Sequence, residues 1–130
     1  MCSATLFSGE SLTEAYECIR DLAADAVLVN CTTPEVLSAA LVFLKEMGVA
    51  VYGGHANGLG AIPKGWSIQN DGYKALGHRD ELTPEMYAMY GREWVEQGAK
   101  LIGGCCDIGT NHIRALSRVV AEYNQTSSVI

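Results

Sequence analysis

Two adjacent thiols, Cys105 and Cys106, follow a short apolar run and a glycine pair in Leu101-Ile102-Gly103-Gly104. A second apolar run, Ala26-Val27-Leu28-Val29, ends in Asn30-Cys31. Three thiolates plus one open position make a plausible catalytic zinc site. Taken singly, each cysteine is more often a small buried hydrophobe, and that reading suits Cys2 and Cys18. Cys105 and Cys106 differ. Neighbouring strand residues point to opposite faces, so both thiols can reach one ion only where the strand ends and the backbone turns. Gly103 and Gly104 permit such a turn. From the residues alone, zinc binding and separate structural thiols stand level. Redox chemistry is a third reading, although disulfide enzymes typically use Cys-x-x-Cys.

Bringing Cys31 to Cys105 requires a fold that gathers strand ends. Short apolar runs bounded by turn signals and set between helical patterns read as parallel strands. In such sheets reacting groups collect at the carboxyl ends. Strands are expected at Cys2–Phe7, Ala26–Asn30, Val49–Tyr52 and Lys100–Gly103. Ser11-Leu12-Thr13-Glu14 has capping-box spacing and opens a helix with Ala15, Cys18, Ile19 and Leu22 on one face. Thr33-Pro34-Glu35 and Thr83-Pro84-Glu85 each combine a hydroxyl cap, a proline at the first position and an acid at the positive dipole end. Leu37, Ala40, Leu41, Leu44 and Met47 form the apolar stripe of the first of these, closed by Gly48. The second runs to Gln97, closed by Gly98. Asn111 can cap a last helix carrying Ile113, Leu116, Val120 and Tyr123, and the polar tail from Gln125 to Ser128 is expected to fray. The fold class is α/β, with four successive parallel βα units and right-handed crossovers.

One connection, Gly53–Leu82, exceeds the roughly 15 residues usual for loops in compact domains. It follows a strand, so it shares a rim with the cysteines and reads as a substrate-covering loop. Trp66 and Tyr73 could line a small-molecule pocket there or pack within the loop. His55 and His78 read as surface histidines, and His112, in a helix's first turn, as a neutral structural group.

At 130 residues the chain forms one domain with a real core. A net charge of −6 argues against a nucleic-acid partner, and no basic cluster suits an anionic membrane surface. No stretch approaches the roughly 20 apolar residues of a membrane span. Met1–Phe7 lacks the basic start and apolar core of an export signal. Five cysteines, an odd number, suit a reducing compartment, with the cytoplasm as default.

Val29-Asn30-Cys31-Thr32-Thr33-Pro34, Asn57-Gly58, Trp94, Gly98-Ala99 and Gly103-Gly104-Cys105-Cys106, followed by Asp107 to Ile113, resemble the C-terminal half of homocysteine S-methyltransferases. The resemblance covers essentially the whole chain, so residues 1–130 would be a partial homocysteine-binding domain. It implies that Cys31, Cys105 and Cys106 ligate Zn2+, that the thiol of homocysteine takes the fourth position, and that a small methyl donor then yields methionine. It implies a substrate contact from Asn57, although His55-Ala56 stands where many relatives place a proline before the asparagine. Asn30, directly before a candidate ligand, could orient that ligand, bind substrate, or equally well only satisfy backbone at a strand end. The family fold is a (β/α)8 TIM barrel of roughly 250 residues or more, and four βα units would supply its second half. The chain would then act with an N-terminal half-barrel, by self-association, or as a non-catalytic zinc-binding fragment.

Overall fold

Helix starts depend on local chemistry, and the computed structural model, which describes residues 4–127, begins three of its α-helices where the expected cap residues stand. Ser11 opens α1 (Leu12–Ile19) with a complete capping box: its hydroxyl accepts the Glu14 N–H at 3.1 Å, and the Glu14 carboxylate accepts the Ser11 N–H at 2.8 Å. Thr33 caps α2 (Pro34–Glu46) and Thr83 caps α3 (Pro84–Glu96), each hydroxyl oxygen accepting the N–H three residues on. The last helix, α4 (Thr110–Ser127), starts one residue before the expected cap, leaving Asn111 inside it. Gln125, Thr126 and Ser127 do not fray. They stay helical, with the Thr126 hydroxyl donating to the Glu122 carbonyl at 2.8 Å, and Ser128 lies outside the described residues.

Three parallel strands, β1 (Val27–Thr32), β2 (Tyr52–Ala56) and β3 (Leu101–Gly104), pair in the order β1-β2-β3. Four were expected. Of the first, Cys2 and Ser3 lie outside the described residues, and Thr5 makes only an isolated antiparallel bridge to Ser11. Leu6 and Gly9 close a turn, and this segment bonds to its own downstream neighbours rather than to the edge of β1. The strand expected at Val49–Tyr52 lies further on, because its glycines belong inside the sheet. A Cβ at Gly53 would stand 1.7 Å from the Leu101 carbonyl oxygen, and one at Gly54 would stand 2.3 Å from a Leu37 methyl.

Successive strands are neighbours, and α2 packs on α3 and α3 on α4. The helices therefore lie side by side, as in an arc of singly wound βα units. Leu37, Leu41 and Leu44 from α2 meet Tyr52, Tyr87, Trp94 and Leu116 in the core. Trp94 is fully buried, and its indole N–H donates to the Ser38 hydroxyl at 3.0 Å. Among the described residues no helix is long and apolar enough to cross a membrane.

The α1 face departs from expectation. None of its residues is buried; Cys18 is exposed rather than a core thiol, and Leu22 just beyond is 73% exposed. Among the described residues no strand pairs with the outer edge of β1. There α1, the N-terminal segment, β1 and α2 wall an apolar cleft of about 780 Å³.

Candidate metal centre

The three strands end level, and the chain beyond them is stitched sideways. The Asn57 N–H donates to the Thr32 carbonyl at 2.8 Å, Cys105 N–H to Ala56 at 2.9 Å, and Gly58 N–H to Cys106 at 2.9 Å. Cys31 sits in this row by way of a bulge. Asn30 pairs with His55 and Thr32 with Ala56, so Cys31 is the extra residue, with φ at +57°. A bulge re-aims a side chain out of strict alternation. The left-handed backbone costs a non-glycine residue roughly 1–2 kcal/mol. On β3 the chain turns directly after Gly104: the Ile108 N–H returns to the Cys105 carbonyl at 3.1 Å, and Asp107 takes φ +66°.

These two irregularities bring the sulfurs of Cys31, Cys105 and Cys106 within 4.8 Å of one another. The Cys31–Cys106 and Cys105–Cys106 separations are both 3.7 Å. Tetrahedral zinc thiolates, with bonds of about 2.3 Å, have sulfur–sulfur edges of roughly 3.8 Å. The donor set fits the ion in kind and in spacing. Among the described residues it is the one group of three cysteine, histidine or acidic side chains close enough to share a metal. Cys31 and Cys105 are half-buried and Cys106 is exposed, so the cluster is reachable from solvent.

The thiols differ in their surroundings. Burial pushes the Cys105 thiol up to about 12, aided by its hydrogen bond with Cys31. Burial also pushes Cys31 up, but hydrogen bonds from Asn57, Cys105 and Cys106 outweigh it and hold that thiol below its ordinary value. A bound cation reverses such a burden, since a coordinating thiol is deprotonated outright.

The two asparagines singled out from the sequence both flank Cys31, in different settings. Asn30 is exposed, beside the bulge. Asn57 is 1% exposed; its amide N–H reaches the Cys31 sulfur at 3.7 Å, and its carbonyl accepts the Leu59 N–H at 3.2 Å. Tyr87 was not evident from the sequence. Fully buried, its hydroxyl lies 2.7 Å from the Gly103 carbonyl and 3.1 Å from that of Ala56, tying β3 to β2 just below the thiols. Burial raises its phenol well above the ordinary tyrosine value. The only signal was an aromatic residue one turn into the Thr83-Pro84 helix start.

The long loop begins at Asn57 and is anchored at its base. The Gly60 N–H donates to Leu76 at 3.0 Å, and the Arg79 N–H donates to Gly58 at 3.0 Å. The Arg79 guanidinium grips both Glu35 oxygens at 2.8 and 2.9 Å. That pairing holds the Glu35 carboxyl down at about 2. His78 is exposed, as expected, and pairs with Asp107 next to Cys106. His55 is half-buried rather than on the surface, with its ring against Gly103. His112 accepts the Gly109 N–H on Nδ1 at 3.2 Å and donates from Nε2 to the Leu82 carbonyl at 2.8 Å, the pattern of a neutral structural ring. Trp66 donates to the Gly72 carbonyl at 3.2 Å, packing within the loop.

Residues 1–120 match the family model described as homocysteine S-methyltransferase. The chain is 30% identical to a selenocysteine methyltransferase of Astragalus bisulcatus, over 88% of this chain and 32% of that one. It is 34% identical to homocysteine S-methyltransferase 4 of Zea mays, over 81% of this chain and 30% of the relative. With homocysteine S-methyltransferase 3 of Arabidopsis thaliana the identity is 28%, over 79% and 28%. The chain thus spans about a third of the length of these curated relatives.

Proposed function

The chain belongs to the homocysteine S-methyltransferase family, and on that premise we propose that it carries the zinc-holding part of an enzyme that methylates homocysteine to methionine. The observation that carries this reading is the three-sulfur cluster, all within 4.8 Å, at the carboxyl ends of β1 and β3. Cys31, Cys105 and Cys106 would hold the metal. When bound, zinc supplies Lewis acidity that makes an incoming thiol a thiolate at neutral pH, where a free one with a pKa of roughly 8.5 is mostly protonated.

The substrate's thiol proton goes to solvent, and its sulfur attacks the donor's methyl carbon in line. The S–C bond forms as the donor's bond to that carbon breaks, and the leaving group keeps the electron pair. This chain's residues set up the attack. The bulge at Cys31 and the turn at Cys105–Asp107 aim three sulfurs at one point. Asn30, exposed beside Cys31, is the better placed of the two asparagines to meet the substrate's polar end. The loop anchored by Arg79 and His78 borders the same rim. The free thiols suit the reducing cytoplasm.

The open edge of β1 and the apolar cleft beside it support a larger barrel, to which the described strands contribute an arc. Further βα units, from an N-terminal half or a second copy, would cover that cleft. The test is methyl transfer from a panel of small donors to homocysteine, by the reduced chain alone and with an N-terminal half from a family member. Activity that vanishes with Cys31→Ser supports the reading. Zinc binding with no transfer in either arrangement would leave a non-catalytic metal module instead.

A further inference from the structure

We propose that Asn57 is a positioning residue of the metal centre, its side-chain amide N–H holding the Cys31 sulfur in place to complete the three-thiol set. This rests on the reading of Cys31, Cys105 and Cys106 as metal ligands. Asn57 is 1% exposed, and a buried amide is costly unless its groups are paired. Its orientation follows from its neighbours. The Leu59 N–H, 3.2 Å away, requires an acceptor, so the carbonyl faces Leu59 and the NH2 group faces the Cys31 sulfur at 3.7 Å. The backbone of the same residue donates to the Thr32 carbonyl at 2.8 Å, so Asn57 grips β1 at the bulged residue and at the one after it.

That grip falls where β1 is strained. Cys31 sits at φ +57°, and such conformations persist when their surroundings enforce them. An N–H donor also favours the thiolate over the thiol, because hydrogen bonds to a charged acceptor are the stronger kind. Partners that orient a ligand in this way typically set metal affinity by roughly 10–100-fold. At 1% exposure Asn57 offers a substrate almost no surface, so its part in the reaction runs through the sulfur.

The experiment is zinc competition against a chromophoric chelator, with the cobalt-substituted protein's thiolate-to-metal absorption as a second readout. Asn57→Ser keeps an oxygen for the Leu59 N–H and removes the donor to sulfur. We expect zinc binding roughly 10–100-fold weaker and a shifted cobalt band. Equal affinity and an unchanged spectrum in Asn57→Ser, with wild type binding zinc, would overturn the role of Asn57 alone. Failure of wild type to bind zinc would overturn the metal-centre reading and this inference with it. Should the variant not fold, cadmium-113-loaded wild type decides: a coupling across the hydrogen bond from the Asn57 amide protons to the metal supports the role, and its absence contradicts it.

Discussion

The α2–α3 side of the sheet and the α1 side are built from similar sequence patterns but packed very differently. Both carry a hydroxyl-capped amphipathic helix. On the first side Leu37, Tyr87 and Trp94 are fully buried, while no residue of α1 is buried and Leu22 beyond it is 73% exposed. An apolar stripe says that a face favours burial; whether this chain supplies the covering layer is a separate matter. The thiol cluster stands on the well-packed side's strand ends, and Cys31 sits at the border between the two regions.

The largest effects should therefore fall on one side. Trp94→Ala removes a buried ring and orphans the Ser38 contact, and should cost about 3–5 kcal/mol in urea unfolding. Leu22→Ala should change stability by less than about 0.5 kcal/mol in the chain alone. Comparable losses in the two variants would break the contrast. A cost for Leu22→Ala that emerges only with a family N-terminal half present would sharpen it.

The same contrast explains what the sequence made legible. Caps at Ser11, Thr33 and Thr83 were readable because their chemistry spans three or four residues. The cysteines were readable as a group because parallel strands gather their carboxyl ends. The reach of β2 was not, since Gly53 and Gly54 look like loop until Leu101 and Leu37 press on them. The bulge at Cys31 was hidden for a similar reason: strand alternation is a rule of regular ladders, and the exception is set by pairing with β2. Tyr87 and Asn57 act on backbone and sulfur far away in sequence, which no local pattern records.

A smaller effect concerns the clasp that fastens the loop to α2. The Glu35 carboxyl sits at about 2 in the folded chain against an ordinary 4.5, held there mainly by Arg79. A depressed folded value means that its contribution is present above about pH 4.5 and is lost as pH falls towards 2. Solvent screening of this half-exposed pair limits the contribution to under about 1 kcal/mol. Melting temperatures of wild type and Arg79→Met should converge as the pH is lowered through that window. A constant gap would show that the loop is held by something other than this ion pair.

The central claim, that Cys31, Cys105 and Cys106 act together on one metal, is tested most directly by zinc-edge X-ray absorption on the reduced, folded chain. The account predicts about one zinc per chain with three sulfurs at about 2.3 Å, and a fourth sulfur when homocysteine is added. A folded chain that takes up no zinc, or whose zinc keeps its sulfur shell after Cys31→Ser, would contradict it.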